Sequence, residues 1–263
     1  MQYKEIDFLN HNESAWDKQA LEQNEWSKPI SFELIELAKK GIWDIYLTPT
    51  PLDKCWLGQI KNKKILCLAS AGGQQAPTLA AAGAKVTVYD ISSGQLNQDK
   101  LVAERNNLQL KTVQGDMRDL SIFKDETFDL IFHPISNHYI ENVNLVWKEA
   151  HRILKKKGVL LSSFFNPVVF IADRNPKDID KDIIKPKYTL PYSDIQDLEE
   201  SAIRRKLEQN EALVFGHTLT DLIGGQLKAG FVITDFLEEN QPHPRFVIDK
   251  YLPTFLATRA IKQ

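Results

Sequence analysis

From residue 61 onward the chain alternates short apolar runs with stretches of helical spacing, and this limits its fold more than any other feature. Residues 65–69 read as a short buried strand, Ala71-Gly72-Gly73 as a turn, and 74–82 as a helix. Pro77 falls in the first turn of that helix, where a missing N–H costs little. Residues 85–89 form a second strand ending at Asp90, 94–106 a second helix, and 110–113 a third strand ending at Gly115-Asp116; 128–132 is a fourth strand. Val143, Val146, Trp147, Ala150 and Leu154 keep helical spacing, so 141–154 is expected to be an amphipathic helix. Residues 155–158 end it, and 159–165 is a fifth strand. Strand, helix and strand repeated in this way imply an α/β fold, a mostly parallel sheet with helices on both faces.

The flanking segments differ. Residues 1–60 read as a Trp-rich N-terminal helical extension, with Ser31 as N-cap of a helix through Lys40 and Gly41 as its stop. Residues 42–60, with Pro49 and Pro51, read as a connecting loop. Four prolines break regular structure in 166–210, an insertion expected over the carboxyl edge of the sheet with a charged helix from about Asp194. Residues 211–263 return to the core, with a helix at 213–229 and strands at 231–236 and 255–259.

The chemistry concentrates in the first βα turn, Ile65-Leu66-Cys67-Leu68-Ala69-Ser70-Ala71-Gly72-Gly73-Gln74-Gln75. Small residues let backbone approach a ligand, and the helix N-terminus behind them offers unpaired N–H groups. Asp90, at the end of the second strand, can accept both hydroxyls of a ribose. These features together point to an adenosine-containing ligand. A dinucleotide site would want G-x-G-x-x-G, and Gln75 and Ala76 stand where a third glycine is needed. The other candidate is S-adenosylmethionine, whose far end is an amino acid and not a pyrophosphate.

The chain resembles the class I S-adenosylmethionine-dependent methyltransferases, in particular bacterial small-molecule-type members with a Leu-Ala-Ser-x-Gly-Gly-Gln-Gln loop. Four pieces carry the resemblance, in order: the glycine loop; Val86-Thr87-Val88-Tyr89-Asp90 followed by Ser92 and Gln95-Leu96; Gln114-Gly115-Asp116-Met117; and Phe128-Asp129-Leu130-Ile131-Phe132. It spans roughly 61–165 and resumes at 211–263. It implies a Rossmann-like sheet of seven strands, the last antiparallel, with 61–165 as the cofactor-binding core and 166–210 as an insertion on the substrate side. It also implies that Ala69, Ser70, Gly72 and Gly73, with Gln75 and Gln95, surround the methionine and ribose portions. Asp90 would hold the ribose, Asp116 the adenine amino group, and Met117 the adenine face. His133 and Pro134 would border the methionine end and the substrate. In the family's usual loop an acid stands at the position of Cys67 and glycines at those of Ala69, Ala71 and Gly73; only Gly73 remains. Alanine held at positive φ costs roughly 1–2 kcal/mol.

Methyl transfer from a sulfonium is a direct displacement, so the reaction itself asks for no metal, and none is expected. The protein chiefly has to align donor and acceptor and keep out water. The segment after the fourth strand, His133-Pro134-Ile135-Ser136-Asn137-His138-Tyr139, lacks the Asp/Asn-Pro-Pro-Tyr/Phe signature of enzymes that methylate planar nitrogens and the Pro-Cys nucleophile of cytosine C5 enzymes. His133, His138 and His217 are the candidate bases, because imidazole titrates near neutral pH. Asn137 and Tyr139 are expected beside them near the transferred methyl. Two other classes remain open at this point: a nicotinamide-dependent oxidoreductase, and a protein that binds S-adenosylmethionine as a sensor without turnover.

Composition narrows the partners. Lys plus Arg number 33 against 35 Asp plus Glu, a net charge of −2, so no global basic field draws in nucleic acid or an anionic membrane. The lysines at 61–64 and 155–157 precede buried strands, where solvated loop lysines are ordinary. The most apolar stretch, 159–172, is interrupted by serines, Asn166 and Pro167 and is shorter than a membrane span. The first residues carry acids and no apolar run, so no signal peptide is expected. Two cysteines make no disulfide framework, and a cytoplasmic location is expected. The expected substrate is a small molecule, in a cavity of roughly 300–1,000 Å³. The N-terminal extension and the insertion would close it, with Tyr3, Trp16 and Trp26 as apolar walls. Nothing in the sequence sets the oligomeric state.

Overall fold

The computed structural model describes residues 6–172 and 176–263. Before the sheet come two helices, α1 (Phe8–Leu21) and α2 (Phe32–Lys39). The core then runs β1 (Lys64–Leu68), α3 (Gln75–Ala81), β2 (Lys85–Asp90), α4 (Ser93–Arg105), β3 (Leu110–Gln114), β4 (Phe128–His133), α5 (Val143–Ile153) and β5 (Leu154–Phe165). The insertion holds β6 (Tyr192–Ser193), α6 (Asp194–Asp197) and α7 (Glu200–Glu208). The chain closes with β7 (Phe215–Gly216), α8 (Gly225–Lys228), β8 (Phe231–Glu239) and β9 (Phe255–Lys262).

Seven strands form one sheet in the order β3-β2-β1-β4-β5-β9-β8. Pairing is parallel from β3 to β5, and β9 lies antiparallel between β5 and β8. This is the expected Rossmann-like sheet with an antiparallel last strand. Alternation along β1 explains the two-sided core. Leu66 and Leu68 turn to one face, against Val146, Trp147 and Ala150 of α5. Ile65 and Cys67 turn to the other, against Ala76 and Leu79 of α3 and Leu96 of α4. Both faces are buried, so the strands read as continuous apolar runs.

Ser31 caps α2 as expected, its Oγ accepting from Leu34 N, and Gly41 follows at φ +88°. Three expectations need correction. The helix expected at 213–229 is instead the short strand β7, then a wider π turn (Thr220–Gly224) leading into α8. Phe215 and Gly216 are drawn into pairing with β6, and Gly216 packs against Phe170, where a side chain would not fit. The charged helix from Asp194 is two helices broken at Leu198–Glu199. Strand β5 begins at Leu154, five residues early: Leu154 already pairs with Phe128, and a bulge containing Lys157, left-handed at φ 63°, precedes the regular pairing from Val159.

The N-terminal extension packs on the insertion and the chain just after it. Asn12 exchanges hydrogen bonds with Leu213 O (3.0 Å) and Leu213 N (2.7 Å), and the rings of Phe8 and Phe215 meet edge to face at 5.1 Å. Among the described residues no helix is long and apolar enough to cross a membrane.

Candidate functional site

Strand β1 lies between β2 and β4, and the crevice at their carboxyl ends is where open α/β sheets bind ligands. A cavity of about 260 Å³ opens there, just under the expected range. Its floor is the turn after β1. The backbone is left-handed at Ala69 (φ 46°), Ala71 (φ 60°) and Gly73 (φ 75°), so both alanines hold the conformation that suits glycine and bear its strain.

Neighbouring groups hold that turn in place. Gly73 N donates to Asp99 Oδ1 at 2.8 Å, and Gly73 O accepts from Ile30 N at 2.8 Å. Gln74 Nε2 donates to Glu25 O (2.7 Å) and Lys28 O (3.1 Å), while Gln75 Oε1 accepts from Tyr46 N at 2.9 Å. The two glutamines thus tie the turn to the N-terminal extension. Gly72 lies so close to Gln95 that any side chain would collide, and neither Gly72 nor Gly73 lines the cavity. Their role is close packing beneath it.

Ala69, Ser70, Gln75, Asp90 and Gln95 line the polar end of the cavity, with Asp116 and Met117 beyond. Ser70 Oγ and Gln95 Oε1 are buried without a hydrogen-bond partner. Gln95 is aimed by its own amide, which donates to Ser27 Oγ (2.6 Å) and Trp16 O (3.3 Å). Asp90 is 7% exposed and accepts from Ser92 N at 2.9 Å. Burial pushes its carboxyl up to about 7, and Asp17 nearby adds to the shift. Asp116 is already engaged: Arg118 approaches its Oδ2 at 2.7 Å, and Arg118 N donates to Oδ1.

At the other end the walls are apolar and aromatic. Trp16 and Trp26 both line the cavity, and Trp16 meets Tyr139 edge to face at 5.2 Å. Tyr3 lies outside the described residues. No described residue of 166–210 lines the cavity; the insertion backs α1, which forms the wall. Pro134, His138 and Tyr139 line this end, beside Ile135, which is left-handed at φ 36°. A β-branched residue there is a strained outlier.

The candidate bases separate. His138 Nδ1 donates to Ile135 O at 2.6 Å, a tautomer that puts the ring's lone pair on Nε2. His133 is fully buried, donates from Nδ1 to Leu68 O at 2.9 Å, and is pulled down to about 4 by burial. His217 donates from Nε2 to Asn137 O at 2.9 Å, and burial lowers its pKa as well. Asn137 is buried and donates to Ser163 O at 2.7 Å. His133, His217 and Asn137 therefore sit behind the wall and not in it.

Sequence reasoning missed several residues of this site. Asp99 shares the buried face of α4 with Leu96, Val102 and Ala103, and a carboxylate in that register was a readable signal. Asp17 accepts from Ser92 Oγ (2.6 Å) and Gly94 N (2.7 Å) across a gap of 75 residues or more, with no local signature. Arg245, between the last two strands, and Phe255, read only as a strand residue, also line the cavity.

A model described as "Methyltransferase domain" matches residues 66–162. The chain is 50% identical to the uncharacterised methyltransferase YbaJ of Bacillus subtilis over 253 residues, 96% of this chain and 97% of that protein. Among solved structures, an S-adenosylmethionine-dependent methyltransferase of Mesorhizobium loti superposes with a TM-score of 0.63 at 18% identity, covering 80% of this chain and 95% of that one. One from Methanosarcina mazei gives 0.56 at 14% identity, covering 80% and 97%. Similarity at those identities speaks for the fold; the full-length match to the Bacillus relative speaks for the family. With the sheet order, the turn after β1 and the acid closing β2, it places the chain among the class I S-adenosylmethionine-dependent methyltransferases.

Proposed function

We propose that this protein is a cytoplasmic enzyme that binds S-adenosylmethionine and transfers its methyl group to a small-molecule acceptor by direct displacement. The observation that carries the reading is the cavity's two-ended chemistry. Ser70, Gln75, Asp90 and Asp116 line one end, and an aromatic enclosure stands at the other. The polar end fits a ligand that combines a ribose with an amino-acid group. When bound, the cofactor supplies a methyl carbon already activated by its positive sulfur.

The chain's own residues then have three tasks. Asp90 accepts from ribose hydroxyls, Met117 packs on the base, and Asp116 uses a remaining lone pair for the adenine amino group. Trp16 and Tyr139 exclude water, which strengthens every polar contact inside and fixes the approach of the acceptor. Where the acceptor must lose a proton, His138, which lines the cavity, is the imidazole placed to take it.

Titration calorimetry with S-adenosylmethionine, its demethylated product and NAD tests the binding half. Binding of the first two without NAD is expected, and the reverse would sink the reading. Transfer of a labelled methyl group in a metabolite extract tests turnover; binding without any transfer would favour a sensor.

A further inference from the structure

We infer that Arg245 anchors the carboxylate of an acceptor whose body is aromatic or otherwise apolar. This deepens the reading above and relies on it for the reaction, not for the binding. Arg245 lies in the turn between β8 and β9 and lines the apolar end of the cavity. Its guanidinium carbon is 5.0 Å from the Phe165 ring centre and 5.7 Å from those of Phe246 and Phe255. Ring contacts occupy the faces of a guanidinium and leave its N–H edge for another partner. Among the described residues that edge donates no hydrogen bond and has no carboxylate at ion-pair distance. Arg118 and Arg152, by contrast, are both paired with acids.

The cation is held where it stands. Asp249, 4% exposed, spends its Oδ2 on the backbone N–H groups of Arg245 (2.8 Å) and Phe246 (3.0 Å). Burial of the guanidinium lowers its pKa, countered only in part by the charge of nearby Asp249, and a bound anion would offset the remaining cost. Among the described residues lining the cavity there is no lysine and no second arginine. One fork-shaped donor suits one carboxylate in bidentate contact, whereas a polyanion would ask for several cations. The neighbours of Arg245 sit on β5 and β9, whereas the cofactor turn follows β1, with β4 between β1 and β5 in the sheet. An acceptor carboxylate is therefore favoured over the cofactor's own.

The test uses the full-length protein saturated with S-adenosylhomocysteine and matched probes: benzoate and benzamide, phenylacetate and phenylacetamide, indole-3-acetate and its amide. Affinities are read by ligand-observed NMR, and the affinity for S-adenosylhomocysteine by calorimetry. At least one acid is expected to bind tenfold or more tightly than its amide. Arg245→Gln should abolish that preference and Arg245→Lys retain part of it, with S-adenosylhomocysteine affinity unchanged. Equal binding of acids and amides, binding of neither, or a preference that survives Arg245→Gln would overturn the assignment. So would a parallel loss of S-adenosylhomocysteine affinity, which would give Arg245 to the cofactor. An acid preference in a protein that binds neither S-adenosylmethionine nor S-adenosylhomocysteine would uphold the anchor and reject the methyltransferase reading.

Discussion

The two ends of the cavity are built in opposite ways. The end proposed for the cofactor comes from consecutive turns after β1, β2 and β3, and it is polar, with the two carboxylates of Asp90 and Asp116. The end proposed for the acceptor draws Trp16, Tyr139, Phe165, Arg245 and Phe255 from distant parts of the chain, and it is aromatic around one cation among the described residues. A ligand shared by a family is recognised by local geometry that repeats with the fold. A ligand specific to one protein is recognised by side chains that converge from distant parts of the chain, here Trp16 of the N-terminal extension and four residues of the core.

The largest expected effect lies at the cofactor end. Asp90 has a folded-state pKa near 7, raised by burial. The stability it contributes is full below about pH 4 and is lost as pH rises through 7. Asp90→Asn should therefore raise stability at pH 8 by up to ~4 kcal/mol, measured by urea unfolding. It should also weaken S-adenosylmethionine by tenfold or more, since a charge-assisted hydrogen bond is worth ~1.5–3 kcal/mol. A variant that binds unchanged would remove the ribose role.

His133, behind the acceptor wall, should titrate in the opposite sense. Its folded-state pKa is lowered to about 4, so its contribution is present above about pH 6.5 and lost as pH falls through 4. That is ~3 kcal/mol of acid sensitivity, and His133→Gln should flatten the stability profile over this range. An unchanged slope would mean that the ring is not held neutral.

Smaller effects test how the N-terminal wall is attached. Asp17→Ala removes the carboxylate that accepts from Ser92 and Gly94, and should cost ~2 kcal/mol. Limited proteolysis should then cut before residue 30 while the sheet stays intact; uniform resistance would show that α1 docks through its other contacts. Smallest is Ala71→Gly. It releases ~1–2 kcal/mol of left-handed strain against an entropic cost of ~0.4–1 kcal/mol in the unfolded chain. A net gain of up to ~1.6 kcal/mol in urea unfolding is expected, and a loss would mean that the methyl packs well enough to offset the strain.

Much of the cofactor end was legible in the sequence because its signals are short-range. The turn after β1, Asp90 closing β2 and Asp116 after β3 each follow directly from a strand whose apolar run is unmistakable. The acceptor end was only partly legible. Trp16 and Trp26 stood out by residue type, and His138 and Tyr139 by their place after β4. His217 and Asn137 looked equivalent in type but turn into hydrogen bonds with each other and with Ser163, and nothing in their spacing reveals it. The 213–229 helix failed for a related reason: its apolar spacing was helical, but pairing with β6 claimed Phe215 and Gly216.

The sequence by itself determined the parallel sheet, the carboxyl ends of its parallel strands and the tight turn after β1, because burial on both faces and tight βα turns leave local marks in residue type and spacing. Only the tertiary structure decided which imidazole reaches the cavity, that Asp99 and the two glutamines brace the strained turn, and that Arg245 reaches the apolar end of the cavity with no acid at ion-pair distance among the described residues. Those outcomes depend on contacts between residues dozens to hundreds of positions apart, and on side-chain directions set by packing, for which the linear chain carries no periodic signal.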